Sequence, residues 1–285
     1  MTHINLNKHA FIFFFLRILT LIVIFSICFE QKLGLATAET KKEIVSVEYI
    51  PGWKDKNSDI VGVIHFELNP GWKTYWRNPG LFGITPIIDW SASENISNME
   101  ISWPTPRIFH EYGVKVIGYE TSLSIPIKIT KEIFHEKAIL NLNLTFGICS
   151  DICLLKQKTI SAPVENDQSN KNFDFVSKAL ATVPSKITDH AFPLSKCMIE
   201  KDGDKLYLKY LISLSEKSNS TPAIIIEYAF SDISIKNQIV KIDEEKLYVS
   251  ASLQDLHKAE GAIERNRIKA LLILENKGFT ITGCH

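Results

Sequence analysis

The chain is poor in methionine, with three in 285 residues, and its eight histidines are scattered rather than grouped. No Cys-x-x-Cys accompanies them, so a zinc or copper centre finds weak ligand material. No glycine-rich loop offers amides to a phosphate, and no Gly-x-Ser-x-Gly presents a nucleophilic serine. Lys plus Arg and Asp plus Glu stand at 32 each, which gives no basic field for nucleic acid. Past residue 38 no apolar run is long enough to span a bilayer. Phosphoryl transfer, triad hydrolysis and nucleic-acid binding are therefore excluded, and attention moves to the cysteines.

The first 38 residues read as a secretory signal. Lys8 and Arg17 supply positive charge, Ile18 to Phe29 is mostly apolar, and Ala36-Thr37-Ala38 is a small-residue cleavage site, with cleavage predicted after Ala38. The competing reading is a retained anchor, since Phe11 to Phe29 is about one bilayer span long. Cys28 is expected to leave with the signal. Removal takes away three basic residues (Lys8, Arg17, Lys32) and one acid (Glu30), which moves the formal balance from zero to minus two. Export to an oxidising compartment matters more, because disulfides persist there. Four cysteines remain, Cys149, Cys153, Cys197 and Cys284, and four allow three pairings.

Two of the four lie in one stretch, Leu140 to Val164. Leu140, Leu142, Leu144 and Phe146 alternate with Asn141, Asn143 and Thr145, the period of a half-buried strand, and Gly147 is expected to end it. Ser150-Asp151-Ile152 makes a three-residue loop, and Leu154 to Ile160 returns as a strand until Pro163. Cys149 and Cys153 then face each other, with Cβ atoms roughly 4.5–5.5 Å apart before any bridge forms.

Around this hairpin, residues 39–165 read as one all-β unit. Ile44–Tyr49, Ile60–Leu68, Gly71–Trp76, Ile84–Trp90, Glu100–Trp103, Val114–Tyr119 and Leu123–Ile129 are short runs bounded by turn residues, without an intervening helical period. All five tryptophans fall here, either as core and end-seals or as an exposed aromatic platform. Residues 166–190 change character: a polar linker precedes Phe173, Val176, Leu180 and Val183, which recur at helical spacing until Pro184. From 191 to 285 a second, smaller β-sandwich-like domain is expected, with strands at Lys205–Leu214, Ala223–Phe230, Leu247–Leu253, Ile268–Leu274 and Phe279–Thr282.

GWKTYWRNPG, the later IDW and WPTPR, then YGVKVIGYETSLSIPI and FGICSDIC together resemble the amino-terminal periplasmic domain of DsbD, the bacterial transmembrane thiol-disulfide reductase, and especially its stand-alone and ScsB-like relatives. The likeness covers about residues 44 to 165. It implies an immunoglobulin-like β-sandwich in the periplasm whose cysteine pair, here Cys149 and Cys153, accepts electrons from a membrane-embedded reductase and passes them to thioredoxin-like or other disulfide-bearing proteins. It also implies a cap over the pair, which maps onto His110, Glu111, Tyr112 and Gly113 with Tyr112 as lid. The chain departs from the best-known member in three ways. Fewer residues separate the two cysteines, one aromatic stands where the lid has two, and no transmembrane or thioredoxin-like domain follows.

Loop entropy separates the two possible bridges. Closing the short loop from Cys149 to Cys153 stabilises by about 2 kcal/mol, whereas the long loop from Cys197 to Cys284 gives about 4.6 kcal/mol. The close pair is a poor staple and reads as a pair meant to open, one thiolate attacking and the other resolving. Asp151 beside it raises thiol pKa values unless Tyr112, Lys156 or a partner compensates. Spacing does not say which sulfur attacks. Cys197 and Cys284 are expected to form a structural disulfide across the carboxy-terminal domain. No cofactor is expected. The alternatives are a non-catalytic scaffold of two sandwiches with static disulfides, or a Cys/His metal site using His110 or His285.

Overall fold

The computed structural model describes residues 17–20, 43–80, 83–111, 113–165, 171–186, 195–203, 205–214, 221–228, 233–243, 245–255 and 263–284. Residues 1–43 form one unit, in which residues 17–20 are helical. Residues 44–285 form the other. Among the described residues no helix is long and apolar enough to cross a membrane.

The second unit is built almost wholly from strands. One sheet orders β1 (Val45–Lys54), β2 (Ile60–Leu68), β8 (Ser122–Lys131) and β5 (Ile96–Ile101). Facing it, the second orders β10 (Cys153–Pro163), β9 (Ile139–Cys149), β3 (Lys73–Tyr75), β7 (Val114–Glu120) and β6 (Arg107–Glu111), with the short β4 (Ile87–Asp89) also laddered on β9. Period-two alternation sends Ile64, Ile125, Ile127 and Ile129 from one sheet against Leu140, Leu142, Leu144 and Phe146 from the other, all essentially inaccessible to water. Phe66 meets Phe146 edge to face at 5.1 Å. This is the sandwich that the alternation predicts, of the immunoglobulin-like kind that the resemblance implies.

Helix α1 (Phe173–Ala181) follows and lies on the outer side of the first sheet. Val176 and Ala179 pack on Val61 and Val63. Asp174 in its first turn faces the positive end of the helix dipole. A Cβ at Gly52 would come within 2.6 Å of the Val61 carbonyl and 3.2 Å of Val176, so glycine is what lets the helix approach this closely.

Two four-stranded sheets complete the chain. One orders β11 (Ser185–Lys186), β18 (Lys277–Thr282), β17 (Ile268–Leu274) and β14 (Ala223–Tyr228); the other β12 (Ser195–Asp202), β13 (Lys205–Ser213), β16 (Lys246–Asp255) and β15 (Ile233–Asp243). Leu208, Ile212, Leu247, Ile268 and Leu272 form their shared core. Ile225 and Leu271 instead join the core of the first sandwich, and the Arg77 guanidinium pairs with the Glu227 carboxylate at 2.6 Å. The two pairs of sheets are thus joined by apolar contact and by charge.

Candidate functional site

The β9–β10 hairpin carries the cysteine pair at its tip. Cys149 is the last residue of β9 and Cys153 the first of β10, and they are direct register partners. Their Cα atoms are 4.2 Å apart and the sulfurs are bonded at 2.06 Å. In the loop, the Ser150 N–H donates to the Ile152 carbonyl at 3.0 Å. Gly147 does not end the strand as alternation suggests, since the ladder continues through it to Cys149. Its role is steric: a Cβ there would meet the Tyr75 ring and Ile84 at 2.8 Å, so its bare backbone makes room for both.

The two sulfur-bearing residues differ sharply in exposure. Cys149 is 3% exposed, whereas Cys153, Ser150 and Asp151 are at the surface. Ile152 and Leu155, both 60% exposed, flank Cys153 as an apolar collar. Such side chains stay in water at a cost that contact with another protein removes.

Behind the bridge stands Tyr75, 3% exposed. Its hydroxyl donates to Cys149 Sγ at 2.6 Å and lies 3.5 Å from Cys153 Sγ. Strand β3, laddered to β7 on one side and β9 on the other, fixes this placement. The neighbouring Thr74 hydroxyl, fully buried, reinforces it by donating to the Gly147 carbonyl at 2.9 Å. Val116, Ile84 and Phe109 complete an apolar cluster with Tyr75 and Cys149. The Lys73 ammonium sits 5.0 Å from the centre of the Phe109 ring. Sequence reasoning missed Tyr75. The available signal was Lys73-Thr74-Tyr75, where alternation puts Tyr75 on the face opposite Thr74, but which strand lies beside β3 is set by the fold.

The segment expected to cap the pair is the end of strand β6 and the turn into β7. His110 and Glu111 belong to strand β6, and Gly113, at φ 78°, is in the turn between β6 and β7. His110 is exposed, and Tyr112 lies outside the described residues. The aromatic side chain that β6 contributes to the cysteine cluster is Phe109. Lys156 pairs in register with Phe146, on the strand face opposite Cys153. Burial pushes the Lys115 ammonium, the register partner of His110, below its ordinary value.

Cys197, on β12, and Cys284 are bonded with a Cα separation of 4.9 Å inside the second core, 8% and 0% exposed. Among the described residues no group of three His, Cys, Asp or Glu side chains could hold a metal ion, and His285 lies outside them. None of the five tryptophans is exposed, and Trp76 is fully buried with the Arg77 guanidinium 4.4 Å from its ring centre.

Residues 43–165 match the family described as thiol:disulfide interchange protein DsbD, N-terminal. Among solved structures, the chain is similar to the crystal structure of the N-terminal periplasmic domain of ScsB from Proteus mirabilis. The identity is 21%, the TM-score is 0.65, and the match covers 86% of this chain and 96% of that one. No curated protein matches.

Proposed function

We propose, from the premise that residues 43–165 are a thiol-disulfide interchange module of the DsbD amino-terminal family, that the protein is a periplasmic electron carrier. It receives two electrons from a membrane-embedded thiol-disulfide reductase and delivers them to protein disulfides through Cys149 and Cys153. One observation carries the reading: the bridge joins an exposed residue to a buried one, and the sulfur of the buried one lies 2.6 Å from a buried hydroxyl.

That asymmetry gives an order of events. A donor thiolate reaches the exposed Cys153 Sγ, forms a new S–S bond there, and expels Cys149 as a thiolate. The Tyr75 O–H, already aimed at Cys149 Sγ, stabilises the developing negative charge; hydrogen bonds to charged groups contribute about 1.5–3 kcal/mol. The donor's second thiol then displaces Cys153, so the donor leaves oxidised and the pair holds two electrons and two protons. Delivery reverses the roles. The Cys153 thiolate attacks a client disulfide, and Cys149 resolves the mixed disulfide, restoring the bridge and releasing a client dithiol. Two features suit this pair to open: loop closure contributes only about 2 kcal/mol to its persistence, and the register keeps both sulfurs facing each other when the bond is broken.

Trapping tests the assignment. Cys149→Ala, which keeps the surface thiol, should accumulate mixed disulfides with exported proteins on non-reducing gels, and Cys153→Ala should not. Equal trapping by both variants, or reduction of the native pair only after denaturation, would remove the proposed roles.

A further inference from the structure

The outer face of the Cys149 sheet continues past the cysteines. Register places Cys153 beside Cys149, Cys149 beside Lys73, and Lys73 beside Glu120, so four side chains form one row across four strands. At its far end Glu120 pairs with Arg107 of β6. Both residues line a cavity of about 440 Å³ where β6 meets the carboxy-terminal sheets, closed by Phe109, Ala223, Ile273 and Asn276. A neighbouring cavity of about 340 Å³ shares Arg107 and Asn276 with it. Each is within the range of pockets that hold a bulky apolar group. Ala223 and Ile273 are register partners on β14 and β17, so the second pair of sheets supplies one wall. Phe109 belongs both to this cavity and to the buried Cys149 cluster, which sets the groove beside the disulfide.

We infer that this groove, taken together with the redox reading above on which the inference rests, binds an extended segment of the partner polypeptide, with a bulky apolar side chain in the groove and the reacting cysteine at Cys153. The spacing follows from sheet geometry. Three inter-strand steps of about 4.8 Å separate Cys153 from Glu120, roughly 14 Å, and an extended chain rises about 3.3 Å per residue, so the anchor stands about four residues from the partner's cysteine. The exposed Ile152 and Leu155 receive the chain on the other side of the sulfur. The occupant is an extended chain because the row runs straight across the strands and ends at a groove lined by residues of two sheets. A partner that touched only the hairpin tip would not reach it.

The test uses the full chain, reduced with dithiothreitol and freed of it. The probes are oxidised glutathione and a series of ten-residue peptides whose single cysteine is disulfide-bonded to glutathione, with one leucine placed two to seven residues away in an otherwise polar sequence. The ratio of each peptide's second-order rate constant to that of oxidised glutathione should peak at a spacing of about four, roughly tenfold above the leucine-to-alanine peptide. Ala223→Trp, which fills the groove, should flatten the peak. A ratio independent of leucine position in the unaltered chain would overturn the groove assignment while leaving the redox reading intact. Failure to react with oxidised glutathione any faster than a Cys149→Ser/Cys153→Ser control would overturn both. The spacing scan needs no variant, so it decides the matter even if Ala223→Trp does not fold.

Discussion

The two disulfides of this chain set the same bond in opposite surroundings. Cys197 and Cys284 are separated by 87 positions and buried in the second core, so breaking their bond releases a long loop and exposes apolar surface. Cys149 and Cys153 are separated by four positions at a hairpin tip, held in register by the β9–β10 backbone ladder. Buried behind the first core's outer sheet, a hydroxyl touches the hairpin bridge; around the long-range bridge lie Leu208, Leu247 and Leu272. Loop length and surroundings, rather than the bond itself, separate the staple from the proposed carrier.

The largest effect should come from breaking the staple. Cys197→Ser with Cys284→Ser loses about 4.6 kcal/mol of loop-closure stabilisation, while Cys149→Ser with Cys153→Ser loses no more than about 2 kcal/mol. Urea unfolding of the two double variants measures the gap. Equal losses would erase the comparison, and a smaller loss for the long-range pair would invert it. Mass spectrometry after alkylation across a dithiothreitol series should show the hairpin pair opening in the native protein while the buried pair stays closed.

Much of this contrast was legible in the sequence, because alternation reads out burial directly. The spacing of Leu140 to Phe146 gave the inner face of β9, and the run from Phe173 gave α1. What was not legible depended on which strands become neighbours. Tyr75 belongs to the site only because β3 inserts between β7 and β9, a pairing of residues more than seventy positions apart. Strand β6 escaped notice because Arg-Ile-Phe-His-Glu has no clean alternation, and β15 because a bulge between Lys236 and Ile239 interrupts its period. Gly147 was misread for a related reason: a glycine that admits a neighbouring ring has the same sequence signature as one that ends a strand.

A second, smaller effect sharpens the comparison at the hairpin pair itself. Tyr75→Phe keeps the ring beside Gly147 and removes the O–H directed at Cys149. Losing a hydrogen bond that contributes about 1.5–3 kcal/mol to the thiolate should move the Cys149 alkylation profile to higher pH. The pH profile of alkylation in the Cys153→Ser background reads this directly. The sign is fixed: the bond favours the charged form, so its loss moves the profile to higher pH, and Cys149 becomes the poorer leaving group when the bridge is opened at Cys153. A profile that does not move in a folded variant would make Tyr75 a packing residue only. The stability of the Cys197–Cys284 region should not respond, because that bridge lies in the other core.

The smallest effect concerns the other side of the hairpin. Asp151 sits in the three-residue loop between the two cysteines and is exposed, so its negative charge opposes thiolate formation, but through water. Tyr75 acts from the buried side, where no solvent intervenes. The two influences on one pair of sulfurs therefore differ in sign and in sensitivity to salt. Asp151→Asn should speed alkylation of Cys153 near neutral pH by only about twofold at low ionic strength. That gain should vanish as the Debye length falls from about 30 Å at 0.01 M salt to about 3 Å at 1 M. The shift produced by Tyr75→Phe should persist across the same series. Rate constants for iodoacetamide measured at the two salt concentrations separate the cases, and a salt-independent gain from Asp151→Asn would mean that the carboxylate acts through a direct contact with the sulfur rather than through solvent.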